Sequence, residues 1–170
     1  MASDVHLYYV SFRSILKGKV SSIMMMQTSK AMKKHFNNVT LISPVFKRKD
    51  NISKDKIFEY YNLEKCFNIK LLKTRLSEES GNLNIYIQKF IFNYLFGLNI
   101  FIRMLFKREK CAFVFRCYIS SLAYIIALFP FVFTGKCRLY FEVHNFDNSG
   151  FHNFILRRMD GLICISKGLI

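Results

Sequence analysis

CRLYFEVHNFDNSGFHNFILRRMDGLICIS, residues 137–166, is the stretch whose reading decides the fold. From its centre outward it parses as a strand (Arg138 to His144), a polar loop (Asn145 to Gly150), an amphipathic helix (Phe151 to Met159) and an apolar strand (Gly161 to Ile165). That order is a βαβ unit, which implies parallel pairing of the two strands. In an open parallel sheet, ligands bind just beyond the carboxyl ends of the strands. Glu142, His144 and Asn145 fall at one such end and Ser166 at the next, so the candidate chemistry is placed there.

The rest of the chain continues the alternation in both directions. Val5 to Phe12 (VHLYYVSF) is an opening strand, expected at the sheet's centre, and Arg13 to Lys19 is a polar turn containing Gly18. Val20 to Phe36 carries apolar residues at helical spacing and ends in Lys33, Lys34 and His35, cations that suit a helix C-terminus. The methionines Met24, Met25 and Met26 are read as core filling. Val39 to Val45 is a second strand, ended by Pro44, and Lys47 to Asp55 a charged loop. A short helix (Lys56 to Leu63), a third strand (Phe67 to Leu72) and a solvated loop (Thr74 to Asn84) follow.

Leu83 to Lys107 is predicted as a long helix whose apolar run is interrupted by Gln88, Lys89, Asn93, Asn99 and Arg103, hence amphipathic or half-buried. Cys111 to Cys117 (CAFVFRC) is near-continuously apolar, as a strand covered on both faces must be. A helix, Ile119 to Phe129, then leads back to residues 137–166. Strands and helices alternate throughout, which predicts one α/β domain over residues 1–170, three layers thick, with a mostly parallel Rossmann-like sheet. No internal repeat or low-complexity segment interrupts it.

Composition agrees. A chain of 170 residues is one domain by length and buries roughly 70% of its unfolded surface. Its 52% hydrophobic content, with 19 Phe and no Trp, excludes disorder. The formal charge of +15, from 26 Lys+Arg against 11 Asp+Glu, favours anionic partners: phosphates, nucleic acid or an acidic membrane leaflet. The five cysteines form no CxxC pair and have no histidine at metal spacing, so neither a metal site nor a disulfide framework is predicted, and no cofactor is. The N-terminus, MASDVHLYYV, lacks the charged start and apolar core of a signal peptide, and a cytoplasmic location is expected. The uncharged run from Tyr118 to Gly135 approaches the length of a membrane span, but Ser120, Ser121, Pro130 and Gly135 favour a buried crossover helix followed by a turn.

Three groups carry candidate chemistry, each with a structural alternative. His144, at a strand end two residues after Glu142, has the chemistry to exchange a proton or hydrogen-bond a sugar or phosphate; the alternative is a solvated strand-end histidine. Arg116 ends an apolar strand, where a guanidinium needs a partner or an anion. Glu142 is its natural partner if the two strands are neighbours, and the pair either supports the crevice or contacts ligand. Gly18 and Lys19, between a strand and a helix, suit a phosphate at backbone N–H groups, or form a plain surface turn.

The order of these pieces resembles the N-terminal half of a family 4 retaining glycosyltransferase, a type built from two facing Rossmann-like domains. VSFRSILKGKVSSIMMMQTSKAMKKHFNNVTLISP resembles the family's first strand, glycine loop, helix and second strand. FVFRCYISSLAYIIALF resembles its strand ending in arginine, and EVHN with ILRRMDGLICISKGLI resembles its E-x-H and aspartate, strand, serine signatures. The resemblance implies that His144 is the catalytic cleft histidine near the transferred sugar. It implies that Arg116 and Glu142 line the cleft, beside Asn145, a substrate-binding candidate by its strand-end position, and that Gly18 and Lys19 approach donor phosphate or acceptor. The family's loop often carries paired glycines, whereas this chain has Gly18 alone, flanked by lysines.

The activity implied is transfer of a sugar from a nucleotide diphosphosugar to a glycan or lipid-linked acceptor, as in polysaccharide or cell-envelope synthesis. The family's nucleotide-sugar domain would follow Ile170; the expectation is therefore an acceptor-side half, inactive alone, working with a separate C-terminal domain at the inner face of an anionic membrane and without nucleic acid. The competing expectation is a non-catalytic basic α/β module that binds membrane surface or nucleic acid.

Overall fold

In the computed structural model, which describes residues 3–11, 13–46, 53–74, 83–107, 109–143 and 149–164, six strands follow the predicted alternation. They are β1 (Ser3–Val10), β2 (Phe36–Phe46), β3 (Asn68–Thr74), β4 (Cys111–Phe115), β5 (Cys137–Val143) and β6 (Gly161–Cys164). Every pairing is parallel, in the order β3-β2-β1-β4-β5-β6. The opening strand is central, as the sequence predicts. The helices are α1 (Val20–Met32), α2 (Lys54–Tyr60), α3 (Leu83–Lys107), α4 (Tyr118–Ala127), α5 (Phe129–Phe133) and α6 (Gly150–Leu156), with a 3-10 turn at Ile15–Lys17.

Period-two alternation in the strands builds two cores, one on each face of the sheet. Tyr8 and Val10 point with Phe113 and Phe115 toward α3, α4 and α5, where Ile100, Tyr124 and Phe131 meet them. Leu7 and Tyr9 point with Ala112 and Val114 the other way, against Met25 and Met26 of α1 and Ile57 and Phe58 of α2. All five residues of β4 are buried, which is why CAFVF has no polar position. The fold is a three-layer α/β domain of the Rossmann-like kind.

Several sequence expectations shift. Pro44 lies inside β2 rather than ending it. Parallel strands turn alternate residues to alternate neighbours, and the Ile42 carbonyl accepts the Ser11 N–H on the β1 side. Pro44, two residues on, faces the same side where β1 has already finished, so its missing N–H interrupts no ladder. The first helix stops at Met32, and Phe36 opens β2 instead of closing the helix. Of the methionines, Met25 and Met26 are core, while Met24 is exposed.

The run from Tyr118 to Gly135 is α4 and then α5, a second short helix where a turn is expected, with Pro130 in its first turn, where its lost N–H costs nothing. Helix α4 buries Ser120, Ser121, Ala123, Tyr124, Ile125 and Ala127, so this stretch is a crossover inside the fold. It packs closely on α3. A Cβ built on Gly97 of α3 would stand 2.7 Å from the Ala127 Cβ, and the glycine is what lets the helices approach.

Helix α3 has the predicted bounds but the opposite orientation from an ordinary amphipathic helix. Lys89 and Asn93 are buried, at 5% and 6% exposure, while Ile87, Ile91, Leu95, Ile102, Leu105 and Phe106 face outward.

Candidate functional site

Strands β2 and β3 extend the sheet to one side of β1, and β4, β5 and β6 to the other. Connections leaving the carboxyl ends of β1 and β4 therefore diverge and leave a crevice between them, the usual ligand position in such sheets. A cleft of ≈ 580 Å³ opens there. Ser11 and Arg13 bring the β1 end to it, Arg116 and Cys117 the β4 end, and Ser21 the first turn of α1. Tyr86, Tyr118, Phe151 and His152 complete it with rings.

The β1 side is held by short-range hydrogen bonding. Ser14 caps the 3-10 turn by accepting from the Leu16 N–H at 3.2 Å, the Ile15 N–H donates to Ser43 Oγ at 3.0 Å, and Ser22 Oγ donates to the Ser14 carbonyl at 3.2 Å. Buried serines thus replace water as partners of a loop that leaves the sheet.

On the β4 side, Arg116 and Glu142 meet as the sequence predicts for neighbouring strands. Arg116 Nε donates to Glu142 Oε1 at 3.1 Å, and Tyr9 Oη donates to Glu142 Oε2 at 2.5 Å. Residues from β1, β4 and β5 are thereby tied across the sheet at its carboxyl edge. Burial, and then the adjacent Glu142 carboxylate, raise the Tyr9 phenol well above its ordinary value, so it remains a donor. The pair is nearly dry, with side chains 11% and 8% exposed; its geometry fixes the guanidinium against the cleft wall.

His152 lies flat against Tyr118, with ring centroids 3.7 Å apart, and Tyr118 in turn stacks on Phe141 at 4.4 Å. Tyr118 and His152 share the cleft lining with Arg13 and Arg116. Cys117 also lines the cleft, but burial raises its thiol above the ordinary value and keeps it protonated, a poor nucleophile. No carboxylate lines the cleft among the described residues, so its walls are cationic and aromatic. Ser11 also borders a water-sized hollow of ≈ 10 Å³ with Lys89, Asn93 and Ser120, which brings a third cation close behind the cleft. Among the described residues, no cluster of His, Cys, Asp or Glu has the makings of a metal site.

The predicted site residues divide. Arg116 lines the cleft and Glu142 supports it. Gly18 takes a left-handed φ of 60° at the end of the 3-10 turn, and a Cβ there would meet Tyr60 Oη at 2.2 Å, so the glycine serves a tight turn packed on α2. Lys19 is exposed at the N-cap of α1; neither residue is among those lining the cleft. His144, Asn145 and Ser166 lie outside the described residues. Ser11, Arg13, Tyr118 and His152 are cleft residues that local sequence reasoning does not single out. The signal for the first two is their place directly after a central strand, usable only once β1 and β4 are known to be neighbours.

No protein-family model, no curated protein and no solved structure matches this chain.

Proposed function

We propose that this chain is the acceptor-side domain of a sugar-transferring enzyme of the retaining, two-Rossmann-domain type, with the β1/β4 cleft as its acceptor site. The observation that carries the reading is the lining of that cleft: one arginine from the end of β1, one from the end of β4, and stacked aromatic rings, at the position where open parallel sheets take ligands. Guanidinium groups recognise phosphate through paired, charge-assisted hydrogen bonds. Aromatic faces pack against the apolar faces of sugar rings. An acceptor that joins phosphate to sugar, such as a glycan on a lipid diphosphate, uses both.

In this reading Arg116 is a binding residue, oriented by Glu142 and Tyr9, and Arg13 supplies the second cation. His144, by the sequence resemblance, would sit near the transferred sugar. The donor nucleotide diphosphosugar and the charge stabilisation of its leaving diphosphate would fall to a second domain that closes over the cleft.

The test is titration of the purified chain with a short-chain lipid diphosphate-sugar, followed by NMR of the cleft residues. Saturable binding is expected, weakened about tenfold or more by Arg116→Ala and by Tyr118→Ala, with no transfer from a nucleotide sugar until a donor domain is added. The basic-module reading predicts instead that any polyanion binds equally, with affinity falling steeply with salt and indifferent to Tyr118→Ala. That result would replace the proposal.

A further inference from the structure

Helix α3 is built inside out for a helix facing water. Its outward side carries Ile87, Ile91, Leu95, Ile102, Leu105 and Phe106, with exposed Asn99 and half-buried Gln88 as the polar residues among them, and Leu95 and Phe106 are 55% and 82% exposed. At 100° per residue these positions fall within one face about 120° wide. The cation and amide that would normally take the water side, Lys89 and Asn93, point inward. Continuous exposed apolar surface of this kind marks an interface.

The same surface continues onto α5. Phe101 of α3 packs against Phe131 of α5, ring centroids 5.1 Å apart, and the outward residues Phe129 and Phe133 are 62% and 85% exposed. The rim is basic. Lys110 and Lys136 are exposed just before β4 and β5, at the sheet edge where α3 and α5 end, and Lys70 is exposed on β3 with its Nζ 5.8 Å from the Phe96 ring of α3. Glu109, the carboxylate nearby, is engaged by Arg103 at 3.7 Å.

From this combination we infer that the chain docks on an anionic lipid bilayer through the outer face of α3 and the tip of α5. The helix lies in the interface plane with its aliphatic and phenylalanine side chains among the acyl chains and the lysines at the headgroups. Charge selects this occupant over a second copy, because the chain carries a formal charge of +15 and repels itself. Spanning is excluded by connectivity: α3 is apolar and long enough to cross, but it joins β3 to β4 of one parallel sheet, and its inner side is packed on α4 and α5. The docked face runs from Ile87 to Phe106, 20 residues or about 30 Å, and Tyr86, which borders the cleft, lies off that face of the helix. The inference stands on the surface of α3 and is independent of what the cleft binds.

Co-sedimentation with vesicles of phosphatidylcholine alone, or doped with phosphatidylglycerol, tests it. The wild-type chain is expected to pellet with the anionic vesicles and much less with the neutral ones. Leu95→Glu with Phe106→Glu should reduce binding at least tenfold, and Lys110→Glu with Lys136→Glu about fivefold per lysine on anionic vesicles. All four positions are exposed, and circular dichroism confirms that the variants fold. Arg13→Ala should leave sedimentation unchanged while weakening acceptor binding, which separates this inference from the cleft proposal. The inference is overturned if wild type pellets with neither vesicle, or if the Leu95 and Phe106 changes leave binding intact. It is equally overturned if the chain is a dimer in ultracentrifugation that those changes dissociate.

Discussion

Helices α3 and α4 are neighbours on the same face of the sheet, and they use apolar sequence in opposite ways. Helix α4 has no charged residue and buries six of its ten residues, with Tyr124 fully enclosed against Phe113 and Phe115. Helix α3 carries lysine, arginine and asparagine, yet it is α3 that turns isoleucine, leucine and phenylalanine outward. The reason is the layer order. Helix α4 lies over the central strands, where Tyr8, Phe113 and Phe115 supply an apolar floor. The first half of α3 lies against the carboxyl ends of β1, β2 and β3, where Ser11, Pro44 and Leu72 border a small hollow that Lys89 and Asn93 close. What a helix buries is set by what lies beneath it, and composition alone ranks these two the wrong way round.

The contrast breaks most visibly by truncation. Tyr124→Ala should cost about 3–5 kcal/mol, the range for emptying a large enclosed aromatic site. Leu95→Ala on α3 should stay within about 0.5 kcal/mol, as exposed substitutions do. Chemical denaturation of both variants reads the difference, and similar losses would mean that α3 is buried as α4 is.

The junction between the helices gives a smaller effect with a diagnostic sign. In an exposed helix, Gly→Ala stabilises by about 1 kcal/mol. At Gly97 the new methyl meets the Ala127 Cβ, so Gly97→Ala should instead destabilise by about 1–3 kcal/mol. Gly97→Ala combined with Ala127→Gly should recover most of the loss.

The smallest expected effect is at the amino edge of β1, near the end of α3. His6, stacked on Tyr8 with Nε2 2.9 Å from Thr40 Oγ1, has its pKa lowered from 6.5, chiefly by burial; Glu109 opposes the shift and Arg103 adds to it. Well above pH 6.5 the ring is neutral folded and unfolded, and stability is unaffected. As pH falls below that value, the unfolded chain takes up a proton that the folded chain resists, so stability drops until the folded ring also protonates. His6→Gln should flatten this part of the stability profile.

Much of the fold was legible in local patterns. The βαβ reading of residues 137–166 holds over the described ones, as β5, α6 and β6, because an apolar strand, a polar loop and a short helical run leave few alternatives. The Arg116–Glu142 pair was legible too, since a guanidinium ending an apolar strand requires a partner and the next strand offers a carboxylate. The opposite wall of the cleft was not. Ser11 and Arg13 matter because β1 sits beside β4, and Phe115 is far from Val10 in sequence although it pairs with it in the sheet. His152 became a cleft residue through its stacking on Tyr118, a contact that spans two connections. Gly18 read as a plain surface turn or as a phosphate loop, and the packing of Tyr60 over it agrees with the turn. The outward face of α3 was hidden for the reason already given: its polar residues sit at positions that suit either side until the floor beneath is known.

Hydrogen exchange of the chain with and without anionic vesicles tests the difference between the two helices most directly. Backbone amides of α3 from Tyr86 to Phe106 should gain protection when vesicles are added, while those of α4 from Tyr118 to Ala127, already enclosed, should not change. Unaltered exchange in α3, or equal slowing of both helices, would contradict the account.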